Sequence, residues 1–292
     1  MPASLRQIAF PDKRDVRRSF ERAAASYDEH AIVHREVERR LLEHLDPIRV
    51  DPKRIVDLGC GTGTSFELLA RRYPRSEIVG IDIASAMLAR ARSRGTWWQR
   101  TFATSARRLV CADAERLPLA AASCGLAYSN LALQWCRPEA FIAEAARVLQ
   151  TGGLVLFSTF GPDTLKELRA AFGPGHHVHA FVDMHDLGDE LVHAGFTDPV
   201  MEMEAITMEY PSVERLALDL KGAGAHNAHP QRRRGLSAPR DWKSMAERYE
   251  RSRRAGSLPA TYEVIYGHAW KGARKRVADG RQVIDFRSRE AQ

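Results

Sequence analysis

Three aspartates stand at the ends of successive short apolar runs: Asp57 in VDLGCGTG, Asp82 in GIDIA and Asp113 in CADAERLP. A carboxylate just before a glycine-rich turn repels phosphate and suits a ligand carrying an ammonium or a sulfonium. The glycines let the backbone turn tightly and approach that ligand closely. Their spacing is GxGxG, not the GxGxxG that cradles a pyrophosphate at a helix N-terminus. Asp82 follows about twenty residues later, where a carboxylate can accept from both ribose hydroxyls, each bond worth about 1.5–3 kcal/mol gross. Asp113 comes after a third run, where a side chain can meet an adenine amino group. A fourth segment, YSNLALQW at 128–135, brings Asn130 and Gln134 as neutral hydrogen-bonding groups and Trp135 as a wall against water. Neither amide is a strong general base.

These residues need a scaffold that lines up strand ends. Apolar runs at 54–58, 77–81, 108–111, 125–129 and 154–158 read as strands, with helices at 64–73, 85–94 and 139–149 between them. Such alternation predicts a doubly wound, Rossmann-like α/β sheet with right-handed crossovers. Ahead of it, 13–45 reads as helical, with Phe20, Ala23, Ala24 and Tyr27 on one face. After Phe160 the rhythm changes to a Gly/His-rich stretch, a helix near 184–194, a strand near 200–208, a basic helical segment and a final strand near 261–270. We expect a helical cap over 1–50 and a ligand-binding core over 51–160. The rest of the core should span 161–270, with insertions at 161–182 and 207–257, and a basic tail 271–292.

Charge and composition narrow the function classes. The net charge is +7, and residues 231–254 alone carry nine Lys/Arg against three Asp/Glu. That concentration suits an acidic partner. It holds few aromatics, Trp242 and Tyr249, so stacked nucleic-acid binding is not expected. No run approaches the ~18 apolar residues of a membrane span, and the start lacks the apolar core of a secretory signal. Cys60, Cys111, Cys124 and Cys136 form no CxxC pair. They read as reduced thiols of a cytoplasmic protein with no metal site.

Residues 50–160 resemble the class I S-adenosylmethionine methyltransferases, whose successive cofactor motifs match DLGCGTG, GIDIA and CADAERLP. The resemblance implies a seven-stranded sheet, mostly parallel, with its last strand antiparallel. It implies that Asp57 and Gly59 contact the methionine end of the cofactor, with Cys60 and Gly61 in the same loop. Asp82 would hold ribose beside Ile83, Met87 would pack near adenine, and Asp113 with Ala114 would hold the adenine edge. Asn130 would face the cofactor from the fourth strand. No NPPY or DPPY motif of N-methylating enzymes is present. A carboxylate acceptor needs no base, being anionic at pH 7 with a pKa near 4 (about 3.9–4.3).

The flanks resemble a narrower family, the malonyl-acyl-carrier-protein O-methyltransferases of biotin synthesis, through FERAAASYD, NLALQW, FSTFGPDTL, HAFVDMHD and KGAGAHN. That resemblance runs to about Lys271 and implies helical lid insertions and methylation of a malonyl thioester's free carboxylate. Tyr27 would then lie over the cofactor and, with Gln134 and Trp135, form the catalytic neighbourhood. Lys166, Arg169, Lys221 and His226 are candidates for the substrate carboxylate, because an unpaired buried anion is costly. Arg232, Arg233 and Arg234 would dock an acidic carrier protein, or the thioester could be that of coenzyme A. Another small acid or a quinone carbon as acceptor, and a non-catalytic assembly factor of the same fold, remain as alternatives.

Overall fold

A computed structural model describes residues 10–94, 107–173, 181–224 and 239–272. The regions around Trp97-Trp98, part of the Gly/His stretch, His226, Arg232, Arg233, Arg234 and the tail beyond 272 lie outside the described residues.

Seven strands form one sheet: β1 (Arg54–Leu58), β2 (Glu77–Asp82), β3 (Arg107–Cys111), β4 (Cys124–Ser129), β5 (Leu149–Phe160), β6 (Phe196–Tyr210) and β7 (Leu258–Lys271). Their order is β3-β2-β1-β4-β5-β7-β6. The pairs among β1 to β5 are parallel, while β7 runs antiparallel to both β5 and β6. This is the class I methyltransferase architecture that the sequence predicts. Ile55, Val56 and Leu58 of β1 and all six residues of β4 are buried. Such continuous apolar runs are what central parallel strands need when helices cover both faces.

The last three strands are longer than their apolar centres suggest. β6 alternates Met and Glu at 201–204 and has mostly exposed or half-exposed residues at the sheet edge, so its ends carry no hydrophobic signal.

The region read as one helix over 13–45 is three: α1 (Lys13–Ala23), α2 (Tyr27–His30) and α3 (Ile32–Glu43). The break falls where the Ala24 and Ala25 carbonyls accept from the Arg90 guanidinium, an arginine of α5 (Ser85–Ser93). The predicted face of Phe20, Ala23, Ala24 and Tyr27 does pack as one, against Ala84, Ala86 and Met87. The break lets the chain bend around Tyr27, so that α1 covers α5 while α3 lies against β5 and meets the start of α4 (Ser65–Arg72) through the Thr64–Glu38 hydrogen bond.

Five more helices lie among the described residues: α6 (Pro138–Val148), α7 (Lys166–Phe172), α8 (Met184–His193), α9 (Val213–Gly222) and α10 (Pro239–Glu250). α9 anchors the cap. Asp219 is buried between His30 Nδ1 at 2.7 Å and Arg215 at 3.0 Å, and Ser19 Oγ donates to the Gly224 carbonyl. Strand order reverses between β1 and β4, which opens a crevice at their carboxyl ends.

Candidate active site

The crevice holds a cleft of about 640 Å³ that continues into a second of about 420 Å³, both lined by Tyr27, His34, Gly59, Gly61 and Asn130. The loop after β1 forms the floor. Gly59 N and Cys60 N donate to the Ile81 carbonyl at 2.8 and 3.0 Å, joining the loop to β2. Gly59 has φ +76°, and a Cβ there would sit 2.3 Å from Ala132 Cβ, so only glycine lets the turn after β4 close on this loop.

Asp82 is held from both sides: Gly61 N donates to Oδ2 at 2.9 Å and Ala84 N to Oδ1 at 2.8 Å. Burial still raises its pKa to about 6. Asp57 lies beneath the glycine loop, where Ser65 Oγ donates to it. Burial, with Glu38 and Asp82 as neighbouring like charges, pushes Asp57 up to about 8. Glu38, on α3, accepts from Thr64 Oγ1 at 2.9 Å, and burial raises it to about 7. Among the described residues none of the three acids makes an ion pair. Three buried carboxylates without a salt-bridge partner are costly as anions, and only Glu38 has guanidinium groups nearby, those of Arg94 and Arg35. A ligand bearing ammonium and sulfonium charge meets that need, so the residues fit S-adenosylmethionine.

At the other end, Asp113 accepts at Oδ1 from both Lys13 Nζ and Glu115 N, each at 3.0 Å, which leaves Oδ2 for a ligand. Lys13 also lies 2.9 Å from Glu115 Oε1 and 3.1 Å from Cys136 Sγ. Burial opposes its charge, but Cys136, Glu115 and Asp113 more than offset this and raise its pKa.

Tyr27 and Trp135 both line the cleft, linked through Phe20, whose ring meets Trp135 edge-on at 5.4 Å and Tyr27 at 6.4 Å. Burial, with Asp82, Glu38 and Asp28 nearby, raises the Tyr27 phenol, so it is neutral at physiological pH. Of the other cofactor candidates, Ile83, Met87, Ala114 and Asn130 line the larger cavity and Cys60 the smaller. Asn130 also braces the cap: Nδ2 donates to the His34 carbonyl at 3.0 Å and Oδ1 accepts from Ser158 Oγ at 2.8 Å.

Other candidates sit elsewhere. Gln134 is buried behind the cleft wall, its Nε2 donating to Leu131 O at 2.7 Å and its Oε1 accepting from Thr159 Oγ1 at 3.2 Å. Its amide is occupied in holding the turn after β4. Arg169 donates to the Pro162 and Thr164 carbonyls, and burial lowers its pKa. Lys166 and Lys221 are exposed. None of these four lines either cavity. His226 and the three arginines lie outside the described residues.

Several residues of the cleft carry no flag in the sequence, among them Lys13, His34, Arg35 and Glu38. His34 is neutral, lowered to about 4 by burial and then by Arg35, and its ring meets Tyr27 and Phe160 edge-on. His34 and Glu38 stand seven and eleven residues past Tyr27, a helical repeat that points to the same face. Lys13 carries no such signal.

The comparisons with known proteins follow this geometry. A methyltransferase domain family model matches residues 56–157. A malonyl-acyl-carrier-protein O-methyltransferase of Gallionella capsiferriformans is 49% identical over 278 residues, covering 94% of this chain and 96% of the relative. One from Methylovorus sp. is 49% identical over 95% of this chain and 96% of its own. The chain belongs to the malonyl-acyl-carrier-protein O-methyltransferase family. A member from Coxiella burnetii is 42% identical over 92% of this chain and 91% of its own length, so the likeness takes in the cap as well as the core.

Solved structures agree on the fold. The Bacillus subtilis YcgJ protein superposes with a TM-score of 0.57 at 12% identity, covering 82% of this chain and 99% of its own. A putative methyltransferase of Bacillus halodurans gives 0.57 at 16%, covering 81% and 99%. No helix among the described residues is long and apolar enough to cross a membrane.

Proposed function

We propose that this protein transfers a methyl group from S-adenosylmethionine to the free carboxylate of a malonyl thioester on an acyl carrier protein. The observation that carries the reading is 49% identity, across 94% of the chain, to a relative of that name. When bound, the cofactor supplies a methyl group activated by a sulfonium.

The chain's own residues would then bind, orient and exclude water. Asp57 would take the ammonium end, and Asp82 the ribose hydroxyls from the lone pairs its two amide bonds leave free. Oδ2 of Asp113, with Ala114 beside it, would meet the adenine edge, and Met87 would pack against the base. Phe20, Tyr27 and Trp135 close the cleft to water. No general base is required, since a carboxylate is already an anion at neutral pH. The neutral Tyr27 phenol and the neutral His34 ring are in keeping with that. Holding the nucleophile in line with the methyl can supply about 7–11 kcal/mol of the barrier. Attack joins opposite charges, which a dry cleft favours.

Arg232, Arg233 and Arg234 would offer the cationic face for an acidic carrier, and His226 a donor near the malonyl group. All four cysteines are free, in keeping with a cytoplasmic enzyme. Incubation with labelled S-adenosylmethionine and malonyl-carrier protein, malonyl-coenzyme A, acetyl-carrier protein or free malonate tests the proposal. Label should enter the malonyl thioesters alone. Equal transfer to free malonate, or none to the thioesters, overturns it.

A further inference from the structure

The geometry points to Glu38 as a second carboxylate for the cofactor's ammonium, which clamps the amino-acid end of the ligand between the sheet and the helical cap. The inference rests on the S-adenosylmethionine reading and adds a residue from outside the glycine loop.

Glu38 belongs to α3, yet it lines the same cavity as Asp57 of β1 and is only 5% exposed. Its one short contact is the Thr64 hydroxyl, and Asp57 is held in the same manner by the Ser65 hydroxyl one residue further along. Two adjacent hydroxyls at the start of α4 therefore aim two carboxylates into one cavity, one from the core and one from the cap. Neither makes a salt bridge among the described residues, and the Arg94 and Arg35 guanidinium groups near Glu38 only partly offset its burial. A purely structural glutamate so deeply buried would be expected to pair with a cation.

An ammonium has three N–H donors and needs several acceptors. Asp57 alone meets only part of that demand, and Glu38 supplies the rest. Beside them the Tyr128 hydroxyl is buried without a partner among the described residues and borders the same cavity. It offers a donor suited to the carboxylate on the same ligand carbon, so the cavity carries complementary groups for an α-amino acid and not merely for a cation.

The test uses two nucleosides that differ in the amino-acid tail: S-adenosylhomocysteine has it and 5′-methylthioadenosine lacks it. Calorimetric titration of the full chain and of Glu38→Gln, which keeps an oxygen for the Thr64 hydroxyl, gives both affinities. The variant should bind S-adenosylhomocysteine about tenfold or more weakly, the loss expected of a charge-assisted bond. Its affinity for methylthioadenosine should stay within about twofold. Unchanged binding of S-adenosylhomocysteine overturns the assignment, and so does equal weakening of both ligands, the mark of a merely structural residue. If the unmodified chain binds neither ligand, the cofactor reading itself fails.

Discussion

Burial of three acids in one cleft makes cofactor binding a proton-releasing event. Asp57, Glu38 and Asp82 have carboxyl pKa values raised to about 8, 7 and 6, burial being the main cause in each. A raised carboxyl pKa favours the protonated folded state, so this contribution to stability is fullest below the ordinary values and fades as pH rises through about 6 to 8. At pH 7 the three coupled groups together hold on the order of one proton. A ligand bringing positive charge against them favours their ionised forms and expels that proton. Each proton released corresponds to about a tenfold rise in affinity per pH unit, so binding should tighten between about pH 6 and 8. Above about pH 8 the ligand's own ammonium begins to titrate and the rise should level off. Calorimetry of S-adenosylhomocysteine binding in phosphate and in Tris, whose ionisation heats differ widely, reads the proton count directly. A count below about 0.3 at pH 7, with a flat affinity across that window, would refute the reasoning.

Three further outcomes are expected. Asp82→Ala removes the acceptor for Gly61 N and Ala84 N and, on the proposed reading, that for the ribose, and should lower S-adenosylhomocysteine affinity by about a hundredfold in calorimetry while circular dichroism stays native. Gly222→Ala puts a Cβ 2.1 Å from His30 Cδ2, where α9 meets α2, and should cost about 1–3 kcal/mol in urea denaturation. Replacing Arg232, Arg233 and Arg234 by alanine should raise KM for the carrier-borne substrate and leave kcat unchanged. Steady-state kinetics with malonyl-carrier protein and malonyl-coenzyme A should show the larger effect on the carrier substrate.

The parts legible in the sequence were those with a local chemical signature. β1 is bounded as its apolar run predicts, and Asp57, Asp82 and Asp113 come together because parallel strands bring their carboxyl ends to one edge. The cap was legible only in part. The face of Phe20 to Tyr27 obeys helical spacing, but the break at Ala24 to Ser26 depends on the Arg90 guanidinium, sixty-five residues away from Ala25. Gln134 illustrates the opposite case. Its type and place beside Trp135 suggest a cleft residue, while a short 3-10 turn, Leu133–Trp135, directs it backward onto Leu131 and Thr159. Nothing in composition or period distinguishes those two orientations.

Lys13 has a consequence of its own. Asp113, Glu115 and Cys136 present two carboxylates and a sulfur within 4.8 Å of one another, a set able to chelate a divalent ion. The ammonium of Lys13 occupies their midst and acts as a built-in counterion. Burial keeps the Cys136 thiol protonated, raised to about 11, but a soft metal can displace a thiol proton outright. Lys13→Ala should therefore turn the Asp113 end of the cleft into a zinc trap, with micromolar zinc blocking S-adenosylhomocysteine binding and a chelator restoring it. The same lysine that ties the cap to the core thus also supplies the positive charge that this cluster would otherwise take from a metal.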